Sequence, residues 1–106
     1  MVAMNEIERF GREIGSQFGA EKVLLFGSYA AGTEQGDSDV DLLVVLPHHG
    51  RSVDKSVEIR MKLRPSFPVD ILVRSPEKIR QRLAIGDDFM RQIFDNGKVL
   101  YEADNC

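Results

Sequence analysis

Cysteine is almost missing from this chain: a single thiol, Cys106, stands at the last position. With no intrachain partner it excludes a disulfide framework and a thiolate metal cluster, and it fits a reducing compartment. Basic charge is also in short supply. Fourteen Lys and Arg face seventeen Asp and Glu, a formal charge of -3, so the molecule as a whole is no electrostatic clamp for nucleic acid, and any such contact would have to be local. Long apolar runs are lacking too. The longest, Leu42 to Leu46, falls far short of the roughly 18 residues that read as a membrane span. The opening Met1-Val2-Ala3-Met4 runs directly into Asn5, Glu6, Glu8 and Arg9, without the basic and apolar regions of a secretory signal, so a cytoplasmic protein with no membrane anchor is expected.

What is present is an ordinary globular composition, 42% hydrophobic and 29% charged over 106 residues. That is the size of one compact domain, expected over residues 1–106, with a core built from common apolar side chains. Ile7, Phe10, Ile14 and Phe18 recur at helical spacing, which predicts a helix over about Met4 to Phe18 with Gly19 as its C-cap. Lys22 to Phe26 reads as a strand that stops at Gly27. The segment Gly27-Ser28-Tyr29-Ala30-Ala31-Gly32 predicts a turn into a short helix, followed by a polar loop from Thr33 to Ser38. Val40 to Leu46 is apolar on both alternating faces, the mark of a central strand, and Pro47 ends it.

Val53, Val57 and Met61, with Ile59 and Leu63, carry the helical period again up to Pro65. Val69 to Val73 reads as a third strand, and Ser75-Pro76-Glu77 opens a helix to about Ala84. Asp87 caps a further helix ending at Gly97, and Lys98 to Glu102 reads as an edge strand. Met90, Ile93 and Phe94 on this last helix serve either to bury a partner or to close the core. The order α-β-α-β-α-β-α-α-β predicts an α/β (α+β) fold, a mixed sheet flanked by helices.

Three features converge on chemistry: a strand ending in Gly27-Ser28, a second opening Asp39-Val40-Asp41, and a third containing Asp70. Side chains two apart on a strand share a face, so Asp39 and Asp41 project together, roughly 6.8 Å apart along the strand. Leu42, Val44 and Leu46 occupy the opposite face. Aspartates beside a turn also cap backbone amides or meet an arginine, and that reading alone deserves equal weight for Asp37 to Asp41. Asp70 tips the balance, being the only polar residue in Pro68-Val69-Asp70-Ile71-Leu72-Val73. Three carboxylates at the starts of two neighbouring strands form an oxygen-rich site suited to Mg²⁺ when phosphate oxygens complete its shell.

Gly27 and Ser28 supply the complementary half. A residue without a side chain admits phosphate to backbone N–H groups, and the serine hydroxyl can donate to a phosphate oxygen. Gly27 and Gly32 have the glycine spacing of a P-loop, but Thr33 and Glu34 follow where Lys and Ser or Thr belong, so the phosphate-binding lysine is absent. His48 and His49 on a Pro/Gly turn point apart and make a poor metal pair. Tyr29, flanked by alanine, reads as core packing before base stacking.

Gly27-Ser28, then about ten residues, then Asp39-Val40-Asp41-Leu42-Leu43-Val44, with Asp70 on a later strand, resembles the nucleotidyltransferase fold of the DNA polymerase β superfamily. In size the chain is similar to the minimal nucleotidyltransferases, antitoxin-like partners of HEPN-domain proteins. The resemblance covers about Val23 to Val73. It implies that Gly27 and Ser28 contact nucleotide phosphates and that Asp39 and Asp41 hold Mg²⁺, two ions in all. Asp70 would complete the metal site and help deprotonate the acceptor hydroxyl. It also implies transfer of AMP from ATP to a hydroxyl, a tyrosine of the HEPN toxin.

Such members often carry basic residues just after the Gly-Ser pair, where this chain has Tyr29, Ala30 and Ala31. Arg60, Lys62, Arg64 or Arg74 would have to substitute, against the plainer expectation that they are solvated. The alternative is therefore a binding module that neutralises its partner by occlusion. A nucleic-acid-directed transferase is the least expected of the three, given the charge and the lack of an aromatic-basic stripe.

Overall fold

The computed structural model describes residues 2–103; Cys106 lies outside them. The chain runs α1 (Met4–Phe18), β1 (Lys22–Phe26), α2 (Ser28–Ala31), β2 (Val40–Val45), α3 (Ser52–Leu63), β3 (Val69–Arg74), α4 (Pro76–Ala84), α5 (Asp88–Asn96) and β4 (Lys98–Glu102). The sequence-predicted order is reproduced. β2 stops one residue early, yet Leu46 N–H still donates to the Arg74 carbonyl at 3.0 Å, so the ladder continues past the formal strand.

The four strands form one mixed sheet in the order β3-β2-β1-β4. β2 and β3 are parallel, while β1 is antiparallel to both β2 and β4. The C-terminal end of β1 therefore lies beside the N-terminal ends of β2, β3 and β4, and it is there that Gly27, Asp39, Asp41 and Asp70 fall.

The alternation of each strand sends its side chains to two separate cores. On one face Val23, Leu25, Leu42, Val44, Ile71 and Val73 pack beneath Ile7, Phe10 and Ile14 of α1 and Ile59 of α3. On the other, Leu24, Leu43 and Val45 pack against Ile79 of α4 and Met90 and Ile93 of α5. Covered on both faces and flanked by two strands, β2 is the interior strand its composition predicts, and Met90 and Ile93 close the core.

α3 is the helix its period predicts, and the structure decides which of its apolar rows is buried. On α3 only Ile59 is fully buried, whereas Val53, Val57 and Met61 are 55%, 49% and 69% exposed. Positions 57 and 59 lie about 200° apart around a helix, so the two apolar rows cannot both face the sheet. The row of Ile59 and Leu63 wins, and the longer row is left outside.

α1 approaches β4 closely because two of its residues have no side chain. A Cβ at Gly11 would collide with Leu100, and one at Gly15 would enter the Tyr101 ring. Replacing Gly15 by alanine gains roughly 0.5–1 kcal/mol of helix propensity but overpacks this contact at about 1–3 kcal/mol. Gly15→Ala is therefore expected to lower the midpoint of thermal unfolding, and a raised midpoint would show the contact to be loose.

The α4–α5 corner fixes the helix that later forms one wall of the site. Asp87 caps α5 by accepting from the Met90 N–H at 3.1 Å, and Arg82 Nε donates to its second oxygen at 2.8 Å. Both bonds, the Met90 N–H first, hold the Asp87 carboxyl below its ordinary value of 3.8. A depressed carboxylate stabilises the fold fully above 3.8 and ceases to do so as pH falls through its folded value. Asp87→Asn, compared with wild type by thermal melts, should thus be less stable at neutral pH, with the difference shrinking below about pH 4.

Candidate active site

The site begins at the abrupt end of β1. Gly27 has φ 76° and ψ -152°, a region open in practice only to glycine. A Cβ there would collide with the Asp41 carboxylate. The chain must therefore turn without a side chain to let Asp41 stand beside it. Ser28 begins the single turn of α2, whose Ala31 N–H donates to the Gly27 carbonyl at 3.1 Å. Its hydroxyl makes no hydrogen bond among the described residues. Tyr29 is 5% exposed, and its hydroxyl accepts from the Val2 N–H at 3.1 Å; as expected, it is a core residue.

Strand register brings the aspartates to one place. Asp41 on β2 is aligned with Asp70 on β3 and, across the antiparallel ladder, with Phe26 on β1. Asp39 precedes the strand and is exposed, as is Asp70, while Asp41 is half-buried. Burial pushes the Asp41 carboxyl above its ordinary 3.8, and the negative charges of Asp70 and then Asp39 add to the rise. Asp41 thus feels the charge of both other carboxylates. Among the described residues, however, no three His, Cys, Asp or Glu side chains are gathered closely enough to hold a metal ion unaided.

A cleft of about 730 Å³ opens at this edge of the sheet. Gly27 and Asp41 line it; Ser28, Asp39 and Asp70 lie outside its lining. The rest of the wall comes from Phe26, from Ala30 and Ala31 of α2, and from Phe89, Gln92, Ile93, Asn96 and Gly97 at α5. Sequence reasoning does not single out Phe89, Gln92 or Asn96. The available signal was an Asp-capped helix with Phe89, Gln92 and Asn96 on one row, beside the apolar Met90 and Ile93.

None of the cations considered as substitutes lines the cleft. Arg60 donates to the Val69 carbonyl at 2.6 Å and Arg74 to the Val73 carbonyl at 2.7 Å. Lys62 lies over the Phe18 ring, 5.3 Å from its centroid. His48 Nε2 is 3.2 Å from the Ser52 hydroxyl, and His49 is exposed. No helix among the described residues is long and apolar enough to cross a membrane.

A mixed sheet flanked by helices, with the Gly27 turn and the Asp41–Asp70 pair at one edge, is the nucleotidyltransferase fold. The family model described as "Nucleotidyltransferase domain" matches residues 7–100, and the chain belongs to that family. It is 32% identical over 105 residues to a Methanocaldococcus jannaschii protein named "Putative protein adenylyltransferase", spanning 92% of this chain and all of that protein. Among solved structures it resembles a toxin–antitoxin complex with AMP-PNP at TM-score 0.61 and 22% identity, over 97% of this chain and 76% of the other. A mutant of the toxin–antitoxin pair MntA-HpeT gives 0.58 and 21%, over 98% and 76%. At such identities the structural likeness establishes the fold.

Charge crowding at Asp41 has a measurable consequence. A raised carboxyl opposes folding whenever it is ionised, fully above its folded value and not at all below about 3.8. Asp41→Asn should therefore unfold at a higher temperature than wild type at pH 7 in chelator-treated buffer, with the advantage fading on acidification. An unchanged or lower midpoint at pH 7 would mean that the carboxylate is stabilised by its surroundings.

Proposed function

We propose that this chain transfers AMP from ATP to a hydroxyl of a protein partner, a tyrosine on a HEPN-type toxin, and so acts as a cytoplasmic antitoxin. The observation that carries the reading is the register of Asp41 with Asp70, beside a glycine whose missing side chain makes room for Asp41. Family membership and the toxin–antitoxin likenesses support it.

The donor set fits Mg²⁺. It is all oxygen, it carries surplus negative charge around Asp41, and Mg²⁺ commonly takes one or two carboxylates and fills its shell with water and substrate phosphates. Asp39 and Asp41, with Asp70 beside them, are the residues that would hold it. When bound, the metal, two ions in this chemistry, neutralises phosphate charge and acidifies the attacking hydroxyl.

The remaining work belongs to the protein. Gly27 admits a phosphate to the backbone, and the Ser28 hydroxyl, otherwise without a hydrogen bond, donates to a phosphate oxygen. The acceptor hydroxyl oxygen bonds to the α-phosphorus as the bond to the bridging oxygen breaks. Pyrophosphate departs, and the hydroxyl proton passes to Asp70, which is exposed beside Asp41 and makes no ion pair among the described residues. Positioning and charge stabilisation supply most of the acceleration.

One observation favours the second reading, neutralisation by occlusion: among the described residues, those that line the cleft include no Lys or Arg. The two are separated by titrating ATP and GTP calorimetrically with and without Mg²⁺, and by following AMP on the toxin by mass spectrometry. Asp41→Asn is expected to lower transfer by about 100-fold or more, several kcal/mol of charge stabilisation being at stake. If that variant binds no nucleotide yet still silences the toxin, occlusion is the function. Undiminished transfer by the variant would remove Asp41 from the metal site.

A further inference from the structure

We propose that the cleft-facing row of α5 is a platform for a purine base, with Phe89 stacking on the ring and Gln92 and Asn96 reading its edge, and that adenine is the base it selects. The inference rests on the reading of the cleft as a nucleotide site and names the residues that choose the nucleotide.

Phe89, Gln92 and Asn96 stand at i, i+3 and i+7, one row of a helix, and all three line the cleft. The neighbouring row, Met90 and Ile93, is 3% and 2% exposed and anchors α5 on the sheet. Phe89 is instead 54% exposed. Its ring meets Phe26 edge to face, centroids 5.7 Å apart and planes at 85°, so an aromatic contact orients it while about half of the residue remains accessible. An open aromatic ring in a cleft of about 730 Å³, within the usual range of small-ligand sites, is a stacking surface for a flat heterocycle.

The two carboxamides decide which heterocycle. Neither makes a side-chain hydrogen bond among the described residues, so the donor and acceptor of each are available to a ligand. A carboxamide pairs its NH₂ with adenine N7 and its oxygen with the adenine 6-amino group. Guanine presents two acceptors, O6 and N7, on that edge and calls for Arg or Lys, which the cleft lining lacks. Gly97 keeps this wall close to β1: a Cβ there would press on the backbone carbonyls of Ile93 and Leu25.

Adenosine and guanosine, which carry no phosphate and need no metal, test the platform by ligand-observed NMR on the full chain. ATP, GTP and inorganic tripolyphosphate, each with Mg²⁺, test the acidic site by calorimetry. Wild type should bind adenosine in preference to guanosine. Phe89→Ala should weaken both nucleosides about tenfold or more, and Phe89→Leu, which keeps apolar bulk without the ring, should do the same. Gln92→Leu/Asn96→Leu should remove about a tenfold preference for adenosine while leaving Mg²⁺-tripolyphosphate binding intact.

No adenosine preference in wild type, or nucleoside binding unchanged in folded variants, overturns the platform. The active-site reading then stands if Mg²⁺-ATP still binds in a manner lost in Asp41→Asn. Adenosine binding that depends on Phe89, without Asp41-dependent binding of Mg²⁺-ATP, would uphold the platform and overturn the transferase reading. If neither nucleoside nor nucleotide binds, both fall.

Discussion

The placement of Asp41 is the constraint on which the rest of the molecule depends. A carboxylate that is half-buried and close to two like charges is unfavourable, and a flexible segment would let it swing out to water. β2 prevents this. Its other residues are buried on both faces, and it is clamped between β1 and β3, so Asp41 cannot leave without disturbing both cores. The apolar sheet thereby supplies the free energy that holds an electrostatically strained group in place, a pattern common at functional sites.

From that constraint the neighbouring features follow. Gly27 has no side chain because the space a Cβ would take belongs to Asp41. β1 ends there, since the positive φ of Gly27 breaks the strand and starts α2. Asp70 comes alongside because β3 is parallel to β2 and aligned with it residue for residue. α5, seated by Met90 and Ile93 and started by the Asp87 cap, then closes the open side with a wall of different chemistry. An acidic end and an aromatic, carboxamide-bearing wall thus meet in one cleft.

The fold was largely legible in the sequence because its signals are local. Gly19 and Asp87 mark helix ends through backbone geometry and capping, and two-sided burial of Val40 to Leu46 declares an interior strand. The helical period of α3 was legible as well, but not which of its apolar rows is covered. Val53, Val57 and Met61 have the spacing of a buried stripe, but spacing states only that residues share a face, not whether anything covers it. The cations were ambiguous in the same way: Arg60 and Arg74 could be known as partners of backbone carbonyls only once β3 was placed.

By itself the sequence determined the order of elements, the glycine turn and the three aspartates, because each depends on chemistry within a few residues along the chain. Tertiary structure alone decided that Asp41 and Asp70 share a register, that no Lys or Arg among the described residues lines the cleft, and that Phe89, Gln92 and Asn96 form its wall. These are relations between segments far apart in sequence. They are set by how strands pair and which helix row is buried, and no local periodicity encodes them.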